Sequence, residues 1–283
     1  MESIAKLVAV VGTTASGKSA AAMQIALERN GEIICADSRT VYRGMDIGTA
    51  KPTAEDQKLV PHHLLDVVNP DERFNVSDFQ KLAKQAIDDI ASRGKLPILV
   101  GGTGLYVDSI LYDFSFRSIN KQLRQELDSL TVNELQARIA EQGLELPQNA
   151  QNPRHLVRVL ETGGQSDQKN ALRQNTLVLG VRLPDDELKQ RIARRIEQMF
   201  AQGLEQEVRG LAQTYGWDTE AMKGIGYQEF RACFEGQQSL QATQKLITQN
   251  TWQYARRQRT WFKRNPDIHW QDTIEQPSAT IEG

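Results

Sequence analysis

LVAVVGTTASGKSAAA, residues 7–22, decides how the rest of the chain is read. Five apolar, β-favouring residues (7–11) run into Gly12, Gly17, Lys18 and Ser19 at the spacing of a phosphate-binding loop, GxxxxGKS, and a helix-favouring run follows. Strand, glycine loop, helix is the setting in which this motif has a physical meaning. The glycines let backbone N–H groups turn inward, and the start of the helix adds its partial positive charge. Lys18 supplies a mobile cation and Ser19 a hydroxyl for Mg²⁺, while Gly12, Thr14, Ala15, Ser16 and Gly17 complete the candidate cradle. The bland alternative is a glycine turn that only packs strand against helix.

Outward from that loop, strand and helix signals alternate. SAAAMQIALERN places Ala22, Ile25 and Ala26 on one helical face, with Gly31 as its stop. EIICAD (32–37) reads as a second strand and LPILVGG (96–102) as a third. Between them FNVSDFQKLAKQAIDDIASRGK reads as a helix capped by Ser77 or Asp78, with Phe79, Leu82, Ala83, Ala86, Ile87 and Ile90 as its buried stripe. Strands that are continuously apolar and separated by helices belong to a parallel sheet covered on both faces. The expected fold is therefore α/β, a P-loop NTPase-like parallel sheet flanked by helices.

From about residue 118 the chain turns polar and helix-favouring, and no strand signal returns until NTLVLGVRL (175–183). This predicts an all-helical insertion domain at 118–172, inside a catalytic core formed by 1–117 and 173–270, with 271–283 as a loose tail. Pro184 and Asp185 open a long helix carrying Leu188, Ile192, Ile196, Met199 and Phe200, and a last helix is expected over about 239–264.

Two features bear on what the loop holds. A kinase or ATPase would normally carry an apolar strand ending in a metal-binding carboxylate beside the γ-phosphate. Here the third strand ends in GGTG, and the carboxylate stands instead after the second, in CADSRTVY. Strand carboxyl ends converge on the ligand crevice of an open parallel sheet, so Asp37 and Thr103 should face the loop's ligand. Asp37 is open to three readings, a magnesium ligand, a general base or a cap for the turn it begins. The long irregular stretch after it, ADSRTVYRGMDIGTAKP, favours function over idleness.

Net charge is −2, from 34 Lys and Arg against 36 Asp and Glu, so an anionic partner must be bound by a local patch. NTWQYARRQRTWFKRN (250–265) is such a patch: Arg256, Arg257, Arg259, Lys263 and Arg264 alternate with aromatics, and Tyr254, Trp261 and Ala255 can pack inward. NPRHLVR sets Arg154 and Arg158 one helical turn apart. Two cysteines, Cys35 and Cys233, are too few for a disulfide framework or zinc site and read as structural. The short N-terminal apolar run is neither a signal peptide nor a membrane span, so a soluble, cytoplasmic protein is expected, with no membrane partner.

Taken together, GTTASGKS, ADSRTVYRGMDIGTAKP, LPILVGGTGLYVDSIL, KGIGYQE (223–229) and QYARRQRTWFKR resemble the tRNA dimethylallyltransferase, or tRNA isopentenyltransferase, family over nearly the whole chain. Without zinc-finger cysteines after the core, the resemblance is to the bacterial type. It departs at Thr13, where the family usually has proline, and at Thr40, where it usually has glutamine.

That resemblance implies a loop holding the diphosphate of dimethylallyl diphosphate, whose dimethylallyl group passes with Mg²⁺ assistance to N6 of the adenosine 3′ of the tRNA anticodon. It implies Asp37 as base and Thr103 as the GGTG threonine near the bridging oxygen and the amine, with Lys223 toward the diphosphate. The tRNA contacts it implies are Asp37, Ser38, Arg39, Thr40 and Thr103 around the base, Arg124, Arg154, His155, Leu156, Val157 and Arg158 in the insert, and Arg256 and Arg257 on the last helix. A monomer is expected. The alternatives are a small-molecule kinase on the same architecture, an enzyme prenylating free adenine nucleotides, and a catalytically silent RNA-binding module.

Overall fold

A computed structural model describes residues 6–116, 121–165 and 169–272. Its elements in chain order are β1 (Leu7–Gly12), α1 (Lys18–Glu28), β2 (Gly31–Cys35), α2 (Ala54–Leu59), β3 (His62–His63), α3 (Val76–Ser92), β4 (Leu96–Gly101), α4 (Gly104–Leu111), α5 (Lys121–Asp128), α6 (Val132–Glu141), α7 (Pro153–Thr162), β5 (Thr176–Val181), α8 (Asp185–Ala201), α9 (Leu204–Tyr215), α10 (Phe230–Phe234), α11 (Leu240–Phe262) and β6 (Ile268–Gln271). Contacts divide the chain into two compact units, one of Asp113–Ala171 and one of the segments on either side.

In the larger unit the six strands form one sheet in the order β3-β2-β4-β1-β5-β6, every pairing parallel. All six residues of β1 are buried, as a central strand covered on both faces requires. The α/β, P-loop-like architecture is thus the one the alternation of signals indicates. Two strands escape that reading. His62–His63 is too short and polar to show a period, and Ile268–Gln271 pairs with β5 at the far edge, reaching into the stretch read as tail. The tail beyond Asp272 lies outside the described residues. No helix of the described residues is long and apolar enough to cross a membrane.

Local chemistry explains the boundaries. Asn75, rather than Ser77 or Asp78, caps α3: its side chain accepts from the Ser77 and Asp78 N–H groups while the Asp78 carboxylate reaches back, a reciprocal capping box. Helix α1 stops at Glu28, and Asn30, not Gly31, takes the left-handed turn before β2. At the carboxyl ends of β2 and β4 the chains run unusually close. The Ala36 N–H donates to Val100 O at 2.7 Å, and a Cβ at Gly101 would lie 2.1 Å from Ala36 O. Only glycine admits that approach, and it brings residues 37–38 beside 102–103.

The smaller unit carries α5, α6 and α7. Its core is Leu127, Leu135, Ile139, Leu156, Val157 and Leu160, an apolar cluster separate from those beneath the sheet. Asn152 caps α7 with Pro153 in its first turn, and Gly163 ends it in the left-handed conformation.

Candidate active site

The residues after β1 form a tight loop. Ala15 and Gly17 both have positive φ, 60° and 95°, and the Ser16 N–H closes a turn onto Thr13 O at 3.2 Å. A non-glycine residue in the left-handed region stores strain of a kind that collects at ligand-holding loops. Directly beyond, α1 begins at Lys18, so its first-turn N–H groups have no acceptors within the helix and point toward the loop's concavity. Gly12 is glycine for packing: a Cβ there would come within 2.7 Å of both Ser16 Oγ and Val181 O. The buried Ser16 Oγ lacks a hydrogen-bond partner among the described residues.

A cavity of about 460 Å³ opens above this loop. Thr14, Ala15, Lys18 and Ser19 line one side, Asp37, Ser38, Arg39 and Thr40 another, and Ile192, Arg195, Ile196 and Met199 of α8 a third. Lys18 is half-buried, its Nζ donating to Thr13 O at 3.2 Å. Burial pushes its pKa down to about 8, the nearby Arg195 charge pushes the same way, and Asp37 opposes them. Burial also lowers the Arg195 guanidinium, again opposed by Asp37. Two partly desolvated cations facing one carboxylate leave an excess of positive charge, which an anionic ligand relieves. Asp37 is the carboxylate among the described residues lining the cavity.

Asp37 both caps and faces the cavity. Its Oδ1 accepts the Arg39 and Thr40 N–H groups at 2.8 and 3.4 Å, fixing the side chain. The Ser38 N–H donates to Thr103 Oγ1 at 3.2 Å, so the two sequence-predicted catalytic residues are neighbours although 66 positions apart in the chain. Arg39 lines the cavity while donating to the Glu220 and Ala221 carbonyls. Thr40 is 7% exposed, and its Oγ1 is buried without a hydrogen-bond partner among the described residues. Lys223 is exposed, within 3.5 Å of Glu220, and lines the same cavity.

Arg256, Arg257 and Arg264 line a groove along α11 and just past its end with Gln253, Thr260 and Trp261, and Arg257 lines the cavity as well. In its basic half the buried stripe of that helix is Ala255, Gln258 and Phe262; Trp261, expected inward, is 41% exposed. Its ring instead lies over Gly104, with Nε1 donating to the Asp108 carboxylate at 3.0 Å, because a glycine there leaves a ledge wide enough for an indole. In the insert Arg154 and His155 are exposed on α7. Leu156 and Val157, which the resemblance groups with them, are 0% and 2% exposed, and their side chains pack the insert's core. Arg124 spans α5 and α7 through Asp128 at 3.2 Å and Glu161 at 2.9 Å, and Arg158 lies 3.8 Å from the same Glu161.

A family model described as IPP transferase matches residues 40–265. The chain belongs to the IPP transferase family. The tRNA dimethylallyltransferase of Roseiflexus sp. (strain RS-1) is 42% identical over 97% of each chain, and that of Anoxybacillus flavithermus is 40% identical over 95% of this chain and 91% of its own. Among solved structures, the tRNA isopentenylpyrophosphate transferase of Bacillus halodurans superposes with a TM-score of 0.76 at 37% identity, covering 99% of this chain and 94% of that one. A eukaryotic dimethylallyltransferase acting on tRNA reaches 0.81 at 26% identity, covering 99% and 78%.

This IPP transferase family member also holds site residues that sequence reasoning missed. Arg195 shares the inward face of α8 with Leu188, Ile192 and Ile196; a cation on an apolar stripe was the available signal. Its Nη2 donates to Thr49 O at 3.3 Å. Glu207 of α9 holds the loop that carries Thr49: its carboxylate accepts the Asp46, Ile47 and Gly48 N–H groups at 3.0, 2.7 and 3.0 Å and the Tyr227 hydroxyl at 2.8 Å. Nothing local marks it, since acids on a helix surface are ordinary. Glu207→Ala leaves those four donors without their acceptor and is expected to cost about 3 kcal/mol, read as a fall in melting temperature of roughly 5–10 °C. Lys51, in the same loop, is structural: its side chain is 4% exposed, its Nζ bound to Tyr42 O, Asp46 and Asp66.

Proposed function

We propose that this chain transfers the dimethylallyl group of dimethylallyl diphosphate to N6 of the adenosine 3′-adjacent to a tRNA anticodon, releasing diphosphate. The observation that carries the reading is the composition of one cavity: Lys18 of a phosphate loop and Arg195 of α8 supply cations, Asp37 is the carboxylate among the described residues lining it, and Thr103 Oγ1 accepts the neighbouring Ser38 N–H. Such a site has cations for a departing diphosphate and a base for an incoming amine. The relatives' names and the shared fold support the same activity.

The adenine amine is a weak nucleophile because its lone pair is delocalised into the ring. As its nitrogen bonds to the allylic carbon, Asp37 takes one N6 proton, and the carbon–oxygen bond to the diphosphate breaks with its electron pair leaving on oxygen. Lys18, Arg195 and the first-turn amides of α1 stabilise that growing charge. Thr103 Oγ, held against the Ser38 N–H, orients the reacting groups. Ile33, Cys35, Val100, Ile192 and Met199 give the cavity apolar walls suited to a prenyl tail. Burial pushes the Cys35 thiol up to about 12, so it packs rather than reacts.

Magnesium fits the donor set in one way. Among the described residues no three His, Cys, Asp or Glu side chains form a metal-holding group, whereas the Ser19 hydroxyl stands at the start of α1 in the cavity wall. Mg²⁺ characteristically binds through one or two protein ligands with substrate phosphates and waters, so Ser19 would hold it together with the diphosphate. Bound there it would neutralise charge on the leaving group.

The basic groove on α11 favours a polyanionic acceptor over a free nucleotide. The deciding experiment treats unmodified tRNA with the protein, Mg²⁺ and dimethylallyl diphosphate, then analyses its nucleosides by mass spectrometry. One five-carbon unit on a single adenosine is expected. An unchanged nucleoside pool, or phosphate transfer from ATP to a small molecule, overturns the reading.

A further inference from the structure

Helix α11 shows an RNA-compatible groove on one side and, on another, touches both halves of the reaction cavity. Its buried Gln258, 5% exposed, accepts the Thr14 N–H through Oε1 at 2.8 Å and donates from Nε2 to Gly102 O at 2.9 Å. The carboxamide has one orientation available, since an N–H is satisfied only by its oxygen and a carbonyl only by its nitrogen. The residue just after β4 makes room for it: a Cβ at Gly102 would lie 2.3 Å from Nε2. One turn earlier Tyr254 lies against Thr103 and Gln258, and one turn later Trp261 covers Gly104. Residues 254, 258 and 261 therefore form one strip laid along residues 102–104.

The bond to Thr14 is also informative about the cradle. A phosphate loop normally aims its N–H groups at the ligand. Here the Thr14 N–H is turned to a side chain 244 positions away, so the loop's shape depends on α11. Gln258 is bonded at once to the donor cradle and to the backbone that carries Thr103.

We propose that Gln258 is a positioning residue: from the basic helix it sets the separation between the diphosphate cradle and the Thr103 side of the cavity, where the acceptor amine reacts. This rests on the transferase reading above. It also makes α11 the element that joins acceptor binding to donor geometry, because Arg256 and Arg257 in the groove lie two residues and one residue before Gln258.

The test compares wild type with Gln258→Met, which keeps the length but makes neither bond, in single-turnover prenyl transfer at saturating donor and tRNA. A displacement near an ångström between reacting groups costs about 100-fold, so the saturating rate of Gln258→Met is expected to fall by about that factor. Affinity for tRNA in the absence of donor should stay within about twofold, because the groove side chains are untouched. Gln258→Glu keeps the shape and the acceptor for Thr14 but cannot donate to Gly102 O, and should fall between the two; it carries the test if Gln258→Met does not fold. Saturating rates within about twofold of wild type in a folded variant, or a loss confined to KM, overturn the proposal. Wild-type protein that prenylates no adenosine would instead overturn the reading of the function, and this inference with it.

Discussion

Asp37→Asn leaves a folded protein whose prenyl transfer at saturating substrates is slower by about 1000-fold, the range expected for loss of a positioned general base. The choice of asparagine matters because Asp37 does two jobs. Its Oδ1 accepts the Arg39 and Thr40 N–H groups, and an asparagine oxygen can keep both bonds. Only the negative charge and the ability to take a proton are lost. Melting temperature should therefore remain within about 3 °C of wild type, whereas Asp37→Ala also removes the turn and should cost a further ~1 kcal/mol. Single-turnover rates with thermal melts on the same samples separate the two roles. A rate for Asp37→Asn within about tenfold of wild type would mean that another group takes the proton.

Lys18→Met has the second largest effect, and it moves stability and activity in opposite directions. In the folded protein Lys18 titrates near 8, well below its ordinary 10.5, because burial and Arg195 penalise the ammonium. Between those two values the unfolded chain binds more protons than the folded one, so stability rises as pH climbs from 8 toward 10.5. Below pH 8 the full penalty is present. Methionine removes it, and with the cavity's water allowed for, the variant should gain on the order of 1–2 kcal/mol at pH 7. Transfer should fall about 100- to 1000-fold, since the leaving diphosphate loses its mobile cation. For wild type, the KM for the donor should rise as pH passes 8 and Lys18 in the free enzyme gives up its proton. A melting curve for Lys18→Met that is no higher than wild type at pH 7 would show that the ammonium is better solvated than its surroundings imply.

Part of this site was legible in one dimension because its parts are local. The loop from Gly12 to Ser19 is a spacing, and the strand before it and helix after it are periodicities. Asp37 and Thr103 could be placed together because strand ends in a parallel sheet converge, and the structure puts Ser38 N–H on Thr103 Oγ1. Judgements of which helix face points where fared less evenly. Trp261 satisfied an inward period and yet lies over Gly104 at the surface, while the side chains of Leu156 and Val157, next in the chain to the exposed Arg154 and His155, pack the insert's core. Motif position says nothing about direction around a helix until the partner surface is known.

The sequence alone determined the parallel α/β core, the phosphate loop, the interrupting helical segment and the family, since each is written in contiguous residues whose propensity and spacing act locally. Only tertiary structure decided that Arg195, Glu207, Tyr254 and Gln258 belong to the site. Each lies on a helix far along the chain, and its role depends on a contact with a loop that it meets through packing, as Gln258 meets Thr14 across 244 positions. Long-range contacts of buried polar groups are set by how elements stack, and that geometry leaves no period in the chain.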